Sequence, residues 1–302
     1  MDIISDIWGS KEEISKCIER YGSVREHNFW FFYNQQRTYA KAFFFKFEND
    51  FGIMAMRYNS RLWEIIGDVL APKGKRSEFF KQFLHYALFT KKDKKLFVCV
   101  PETFYSDILS IVEKSGKYKI TNSPIIYHTP VFNVKNWDKS LKGGELKKLR
   151  NVQNRFFKSH NVEFVPSKEL DKKKLIEVVL QWRKYRPKTS QTFYLQMYIN
   201  LIKNHFEGTD MARTILVNGE PCCITAGWSI PNSNDYYSAI GLCNYKYEGL
   251  AEVANIDDLN EIKEKGYEYA DFGDSYKSLL QFKKKFKPEY CYQTYWFFIV
   301  KK

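Results

Sequence analysis

The stretch Asp271–Pro288, DFGDSYKSLLQFKKKFKP, concentrates residue types that can hold an anion or polarise a carbonyl. Asp271 and Asp274 flank Gly273 at the end of a strand-like run, Tyr267–Phe272. Either carboxylate can take the proton of an attacking amine or bind an incoming ammonium group. A short helix then carries Lys277, Lys283, Lys284, Lys285 and Lys287, with no acid between Ser275 and Pro288. Tyr276, Leu279, Leu280 and Phe286 recur at three- and four-residue spacing, so one side can pack on a sheet while the lysines stay outside. A strand end feeding a cationic helix suits an oxyanion or a phosphate. Two plainer readings stand beside this one: Asp274 caps a helix beginning at Ser275, and the lysines form a solvated face.

Other cationic segments invite the same question. In ELKKLRNVQNRFFKSH, Arg150, Asn151, Asn154 and Arg155 fall at helical spacings and join Lys147 and Lys148 in a stripe suited to phosphates, or simply to water. Gly74, between Lys73 and Lys75 and followed by Arg76, opens a helix where a diphosphate could sit, although such loops are often only turns. Tyr185 and Arg186, before Pro187, read as a substrate-lining turn. Metal chemistry has no foothold: there is no CxxC, and the five histidines fall at no ligand spacing with the six cysteines. Those cysteines sit mostly in apolar runs and read as reduced and buried. No Ser/His/Asp set or Walker loop points to a hydrolase or an NTPase.

The positioning elements alternate. An amphipathic helix, Ser10–Tyr21, begins with Ser10 as N-cap and Glu13 three residues on. Strands follow at Trp30–Tyr33, Tyr39–Phe47, Phe51–Tyr58 and Leu62–Leu70, then a helix to about Phe89, a strand Lys95–Val100, a helix Thr103–Ser115 and a strand Ile125–Val134. A polar stretch, Trp137–Gly144, marks a boundary between domains 1–140 and 141–302. Helices at Glu145–His160, Lys168–Tyr185 and Gln191–Phe206 lead to a hairpin around Asn218-Gly219. Strand Tyr236–Leu242, helix Leu250–Lys265, the cationic segment and strand Tyr290–Val300 close the chain. Residues 62–100 and 236–272 share the order strand, loop, helix, strand, each after a hairpin, so the halves read as copies of one α/β unit. The expected fold is α/β: two similar domains, each a mixed twisted sheet flanked by helices.

The chain of 302 residues carries a formal charge of +13. The excess is +6 in residues 1–140 and +7 in residues 141–302, so no basic tail explains it. Such a field attracts polyanions, and it also serves solubility alone. The N-terminus has acids where a signal peptide needs basic and then apolar residues, and runs such as Tyr295–Val300 are too short to cross a bilayer. A soluble, cytoplasmic protein is expected.

The run GGELKKLRNVQNRFF, the segment Gly249–Gly266, and the following YEYADFGDS and QFKKKFKP together resemble the phosphatidylglycerol lysyltransferase C-terminal domain. They also look like the Fem-type tRNA-dependent aminoacyltransferases. Both groups carry two GNAT folds in tandem, and the likeness covers roughly residues 125–290. The resemblance implies transfer of an aminoacyl group, from aminoacyl-tRNA, to an amine or hydroxyl acceptor such as an anionic lipid or a peptide. No cofactor is implied beyond the donor. It also implies that Lys283 contacts the transferred carbonyl or the tRNA 3′ end and that Phe282 walls the pocket. That pocket is expected at splayed central strands, lined by Tyr237, Gly241, Asn244, Asp271, Gly273 and Lys283. No Arg/Gln-x-x-Gly-x-Gly/Ala pyrophosphate loop accompanies it; Asn244–Gly249 reads Asn-Tyr-Lys-Tyr-Glu-Gly. An acyl-CoA-dependent N-acyltransferase and a non-catalytic RNA-binding GNAT pair remain the rival readings.

Overall fold

A computed structural model describes residues 1–185 and 192–302. Arg186 and Pro187, and with them the substrate-lining turn expected there, lie outside the described residues. In chain order the elements are β1 (Asp2–Ile4), α1 (Lys11–Tyr21), α2 (Phe29–Gln35), β2 (Ala40–Lys46), β3 (Gly52–Tyr58), β4 (Leu62–Ile66), α3 (Lys73–His85), β5 (Lys95–Pro101), α4 (Glu102–Ser115), β6 (Tyr118–Ile120) and β7 (Ile125–Asn133). Then come α5 (Lys147–Ser159), β8 (Val162–Pro166), α6 (Lys172–Lys184), α7 (Thr192–Lys203), β9 (Met211–Val217), β10 (Glu220–Ser229), β11 (Asp235–Cys243), α8 (Leu250–Glu264), β12 (Tyr269–Asp271), α9 (Lys277–Lys283) and β13 (Tyr290–Lys301).

These elements form two compact units. One comprises Met1–Thr129, Ile230–Ser233 and Tyr292–Lys302; the other comprises Pro130–Ser229 and Asn234–Cys291. The first division therefore falls before Trp137–Gly144, and the closing strand from Tyr292 onward belongs to the first unit rather than to a domain 141–302. Local composition marks polar stretches, but it cannot show that the last strand pairs with β5, as Trp296↔Cys99 and Phe297↔Val98 do.

In the first unit β1, β2, β3 and β4 pair antiparallel in turn, and β4 pairs with β5 in parallel. The core between this sheet and α3 and α4 is aromatic: Phe45, Trp63 and Phe83 meet edge to face at 4.8–5.7 Å. Each such pair contributes about 0.5–1.5 kcal/mol beyond its buried area. The run Phe29–Gln35 is a helix, not the strand that its aromatic content suggests. Asn28 decides this, because its Oδ1 accepts from Phe31 N at 3.1 Å and caps the first turn. Ser10, in contrast, precedes α1 without a side-chain cap bond, and Glu13 pairs with Lys46 at 2.5 Å instead.

In the second unit the sheet order is β7, β12, β11, β10, β9, β8. The hairpin β9–β10 turns at Asn218 and Gly219, both at positive φ as the sequence requires. Apolar residues of α8, among them Ile256, Leu259 and Ile262, pack with Tyr236 of β11 and Phe286. Opposite one another on β10 and β11, Cys223 and Cys243 form a disulfide, so two of the six cysteines are not the free thiols expected; Cys291 is exposed. In the first unit the corresponding strand, loop, helix, strand series is β4, residues 67–72, α3 and β5. In the second it is β11, residues 244–249, α8 and β12.

Candidate active site

Strand pairing makes the site. β12 pairs in parallel with only Asp235–Tyr237 of β11 and stops at Asp271, while β11 continues to Cys243 against β10. The two strands part after Tyr237 and Asp271. At the same level the β10–β11 register skips from Gly227↔Ser238 to Ala226↔Ile240, leaving Ala239 as the extra residue of a bulge. Bulges of this kind bend a strand and re-aim its neighbours.

Beyond β12 the chain turns tightly. Asp271, 4% exposed, accepts from Gly273 N through Oδ1 at 2.7 Å. Gly273 lies at φ +71, and a Cβ there would meet the Tyr237 ring at 3.3 Å, so both backbone conformation and space select glycine. Trp228 stands edge to face with Tyr237, ring centroids 5.2 Å apart. Lys283, the last residue of α9, returns beneath this turn. Its Nζ donates to Phe272 O, to Gly273 O at 3.2 Å and to Ser275 Oγ at 2.9 Å. Ser275 Oγ itself donates to Gly273 O at 3.1 Å. Three acceptors on one nitrogen require the –NH3⁺ form. A buried charge is tolerated only when so bonded, each charge-assisted bond being worth about 1.5–3 kcal/mol. The result is a fixed positive charge under a turn at a strand end.

The remaining expected residues divide. Tyr237, Asp271, Gly273 and Lys283 converge, with half-buried Asp274 in the same turn. Asp274 does not cap α9, whose N-cap is Tyr276 without a side-chain cap bond. Phe282 packs with Phe286 at 5.6 Å on the α8 core, under the Lys285 ammonium. Gly241 lies exposed further along β11, with open space where a Cβ would be. Asn244, at the end of β11, donates to Gln181 of α6 at 2.9 Å and accepts from Lys246 N at 3.0 Å. On α5, Lys147 and Arg155 are exposed, whereas Arg150 donates to Leu141 O and to Gly143 O at 3.4 Å, holding the loop before its own helix.

Gly74 and Arg76 do not form an open phosphate loop. Gly74 is in the first turn of α3, and the Arg76 guanidinium bonds Asp68, Ala71 O at 3.0 Å and Ser23 Oγ at 3.1 Å. Burial pushes the Asp68 carboxyl up to about 6, against the pull of Arg76. A cleft of about 770 Å³ in this first unit is lined by Trp8, Lys11, Lys16, Arg20 and Lys46 among others, and there Lys46 pairs with Glu13 and with Asp50 at 3.1 Å.

Two residues escaped the sequence reading. Ser275 is fully buried and accepts from Lys283; its signal was a small hydroxyl two positions after the turn glycine. Asp258 of α8 is buried with its Oδ2 2.5 Å from Ser238 Oγ, and burial pushes its carboxyl up to about 7. Its position on the apolar stripe Leu250, Ala254, Asp258, Ile262 was legible.

Both units run hairpin, strand, loop, helix, strand, the element order of a GNAT-type fold in tandem. A family profile described as phosphatidylglycerol lysyltransferase, C-terminal, matches residues 18–298, and the chain belongs to that family. It is thereby an enzyme of the aminoacyl- and acyltransferase class. Its fold is similar to that of a conserved Bacteroides thetaiotaomicron protein of unknown function, at 15% identity and TM-score 0.73, covering 100% of both chains. L-PGS from Bacillus licheniformis is similar over 95% of this chain and 90% of that one, at 15% identity and TM-score 0.69. FemX is similar over 98% and 97%, at 12% identity and TM-score 0.62. No curated protein sequence matches. Among the described residues, no helix is long and apolar enough to cross a membrane, and no group of three His, Cys, Asp or Glu could hold a metal ion.

Proposed function

We propose that the second unit transfers an aminoacyl group from aminoacyl-tRNA to a hydroxyl or amine acceptor, with the headgroup of phosphatidylglycerol, the acceptor in the family's name, as first candidate. The observation that carries this reading is the Lys283 ammonium locked under the Asp271–Ser275 turn, where β11 and β12 part. The acceptor attacks the ester carbonyl, a new bond to carbon forms, and the ester C–O bond breaks. The released ribose hydroxyl takes a proton while the attacking group loses one. A charge already fixed in place stabilises the developing oxyanion without reorganising. With its three protons engaged, Lys283 acts through that charge and by holding the turn. In this reading Asp271 or Asp274 binds the α-ammonium group of the donor or receives the proton. The donor brings its own activated ester, so no cofactor is required.

A tRNA donor is favoured over acyl-CoA by the loop after β11. A coenzyme A diphosphate binds to free backbone amides at a helix start. Here the loop reads Asn-Tyr-Lys-Tyr-Glu-Gly, without the Arg/Gln-x-x-Gly-x-Gly/Ala run that presents such amides, and two of its own amides, Lys246 N and Tyr247 N, are engaged by Asn244 Oδ1 and Asn244 O. The charge of +13 suits both a polyanionic donor and an anionic lipid. The deciding experiment supplies lysyl-tRNA carrying radiolabelled lysine to the protein with phosphatidylglycerol vesicles, with labelled acetyl-CoA as rival donor. Label entering the lipid phase from tRNA alone is the expected result. Transfer from acetyl-CoA alone would overturn the donor assignment.

A further inference from the structure

On the second unit, two exposed tyrosines from different elements have no part in the turn around Lys283. Tyr185, just beyond α6, and Tyr245, in the loop after β11, are 55% and 47% exposed and meet edge to face with centroids 6.3 Å apart. The loop that presents Tyr245 is pre-organised. Asn244 ties it to Gln181 of α6 and closes a turn onto Lys246 N. At its other end Gly249 takes φ +91, and a Cβ there would press on Val152 at 3.0 Å and Phe156 at 3.5 Å, both on α5. The Tyr247 ring meets His160 at 5.5 Å. The tyrosines therefore sit on a frame that extends from α6 to α5. On the α5 side, Arg155 lies 3.8 Å from Glu248, and Lys147, Lys148 and Lys158 are exposed on a helix without an acid.

We propose that Tyr185 and Tyr245 form a stacking platform for unpaired bases at the single-stranded end of an RNA, whose phosphates pass over Lys246 and the cationic face of α5. The proposal deepens the tRNA-donor reading and rests on it for the identity of the RNA. Every base has a π-face, so a strand needs only presented rings with cations beside them. An anionic bilayer fits less well. The polar Asn244–Gln181 bond links the elements that carry the two rings, so the rings stand on a polar frame rather than on the apolar face of an interfacial helix. Fixing the loop beforehand lowers the ordering cost of binding.

The test is fluorescence anisotropy with a labelled short single-stranded RNA and with uncharged tRNA, across a salt series, on the wild type, Tyr185→Ala, Tyr245→Ala, Tyr245→Trp and Lys246→Ala. Each alanine at a tyrosine is expected to weaken RNA binding roughly 5- to 150-fold with an unchanged salt slope. Tyr245→Trp should restore affinity, which a merely structural tyrosine would not show. Lys246→Ala should reduce the salt slope by about 0.7. Unchanged RNA affinity in both tyrosine-to-alanine variants overturns the platform, as does RNA-independent binding of phosphatidylglycerol vesicles that these variants lose. If the wild type binds no RNA, platform and donor reading fall together. If tyrosine-dependent RNA binding holds but charged tRNA supports no transfer, the platform stands and the donor reading fails.

Discussion

Lys283 shows how a surface-looking residue becomes a site. In the sequence it is one of five lysines with no acid near, and a solvated face accounts for all of them. In the folded chain it alone is buried, because α9 ends just where the carbonyls of Phe272 and Gly273 lie. Replacing it with methionine keeps the bulk and removes the charge. Lys283→Met is expected to lower kcat by about 10²- to 10³-fold, the cost of losing one pre-organised stabiliser of the oxyanion. The dissociation constant for tRNA should stay nearly constant, since one charge among 48 basic residues barely alters the field. Steady-state kinetics with charged tRNA decides: a raised KM with kcat intact would make Lys283 a binding residue. Lys147→Ala with Lys148→Ala should act oppositely, flattening the salt dependence of donor binding by about 0.9 per lost phosphate contact while sparing turnover at saturation. Arg150 is a poor choice for that experiment, because its loss frees the carbonyls of Leu141 and Gly143.

At the scale of elements, what could be read from the chain was what depends on neighbours in sequence. The Asn218-Gly219 turn, the amphipathic stretches of α5 and α6 and the tandem strand, loop, helix, strand order were all visible, since periodicity and turn chemistry are local. The helix α2 was not, because an aromatic run favours strands on propensity and only the Asn28 cap decides otherwise. Asn28→Ala should therefore cost about 1 kcal/mol, seen as a lower Tm of the first unit, with transfer kinetics unchanged at low temperature. The Cys223–Cys243 bond was equally hidden: neither residue stands in a motif, and only the register of β10 on β11 sets them opposite one another. For the site, the turn Asp271–Asp274 and Lys283 were legible as a cluster of chemistry. Their hydrogen bonding was not, nor the engagement of Arg76 by Asp68, because both depend on burial.

Across the whole molecule, the two units carry buried groups whose pH responses oppose one another. In the second unit burial raises Asp258 to about 7 from an ordinary 3.8. The native state then holds its proton more tightly than the unfolded chain, and this contribution to stability is lost as pH rises from about 4 through 7. In the first unit burial lowers His27 to about 4 from 6.5. Its ring accepts from Ser23 N at Nδ1 and donates from Nε2 to Asp68 O at 3.0 Å, which requires the neutral form. Its contribution is present above 6.5 and is lost as pH falls through 4. The two variants should therefore have mirror-image profiles. Relative to the wild type, Asp258→Asn should be nearly neutral at pH 4.5 and stabilising at pH 8, by an amount on the order of a few kcal/mol. His27→Gln should be destabilising at pH 8, with a penalty that shrinks towards pH 4.5. Thermal melts of the three proteins at both pH values test this: if the two differences move with pH in the same direction, burial is not what sets these protonation states.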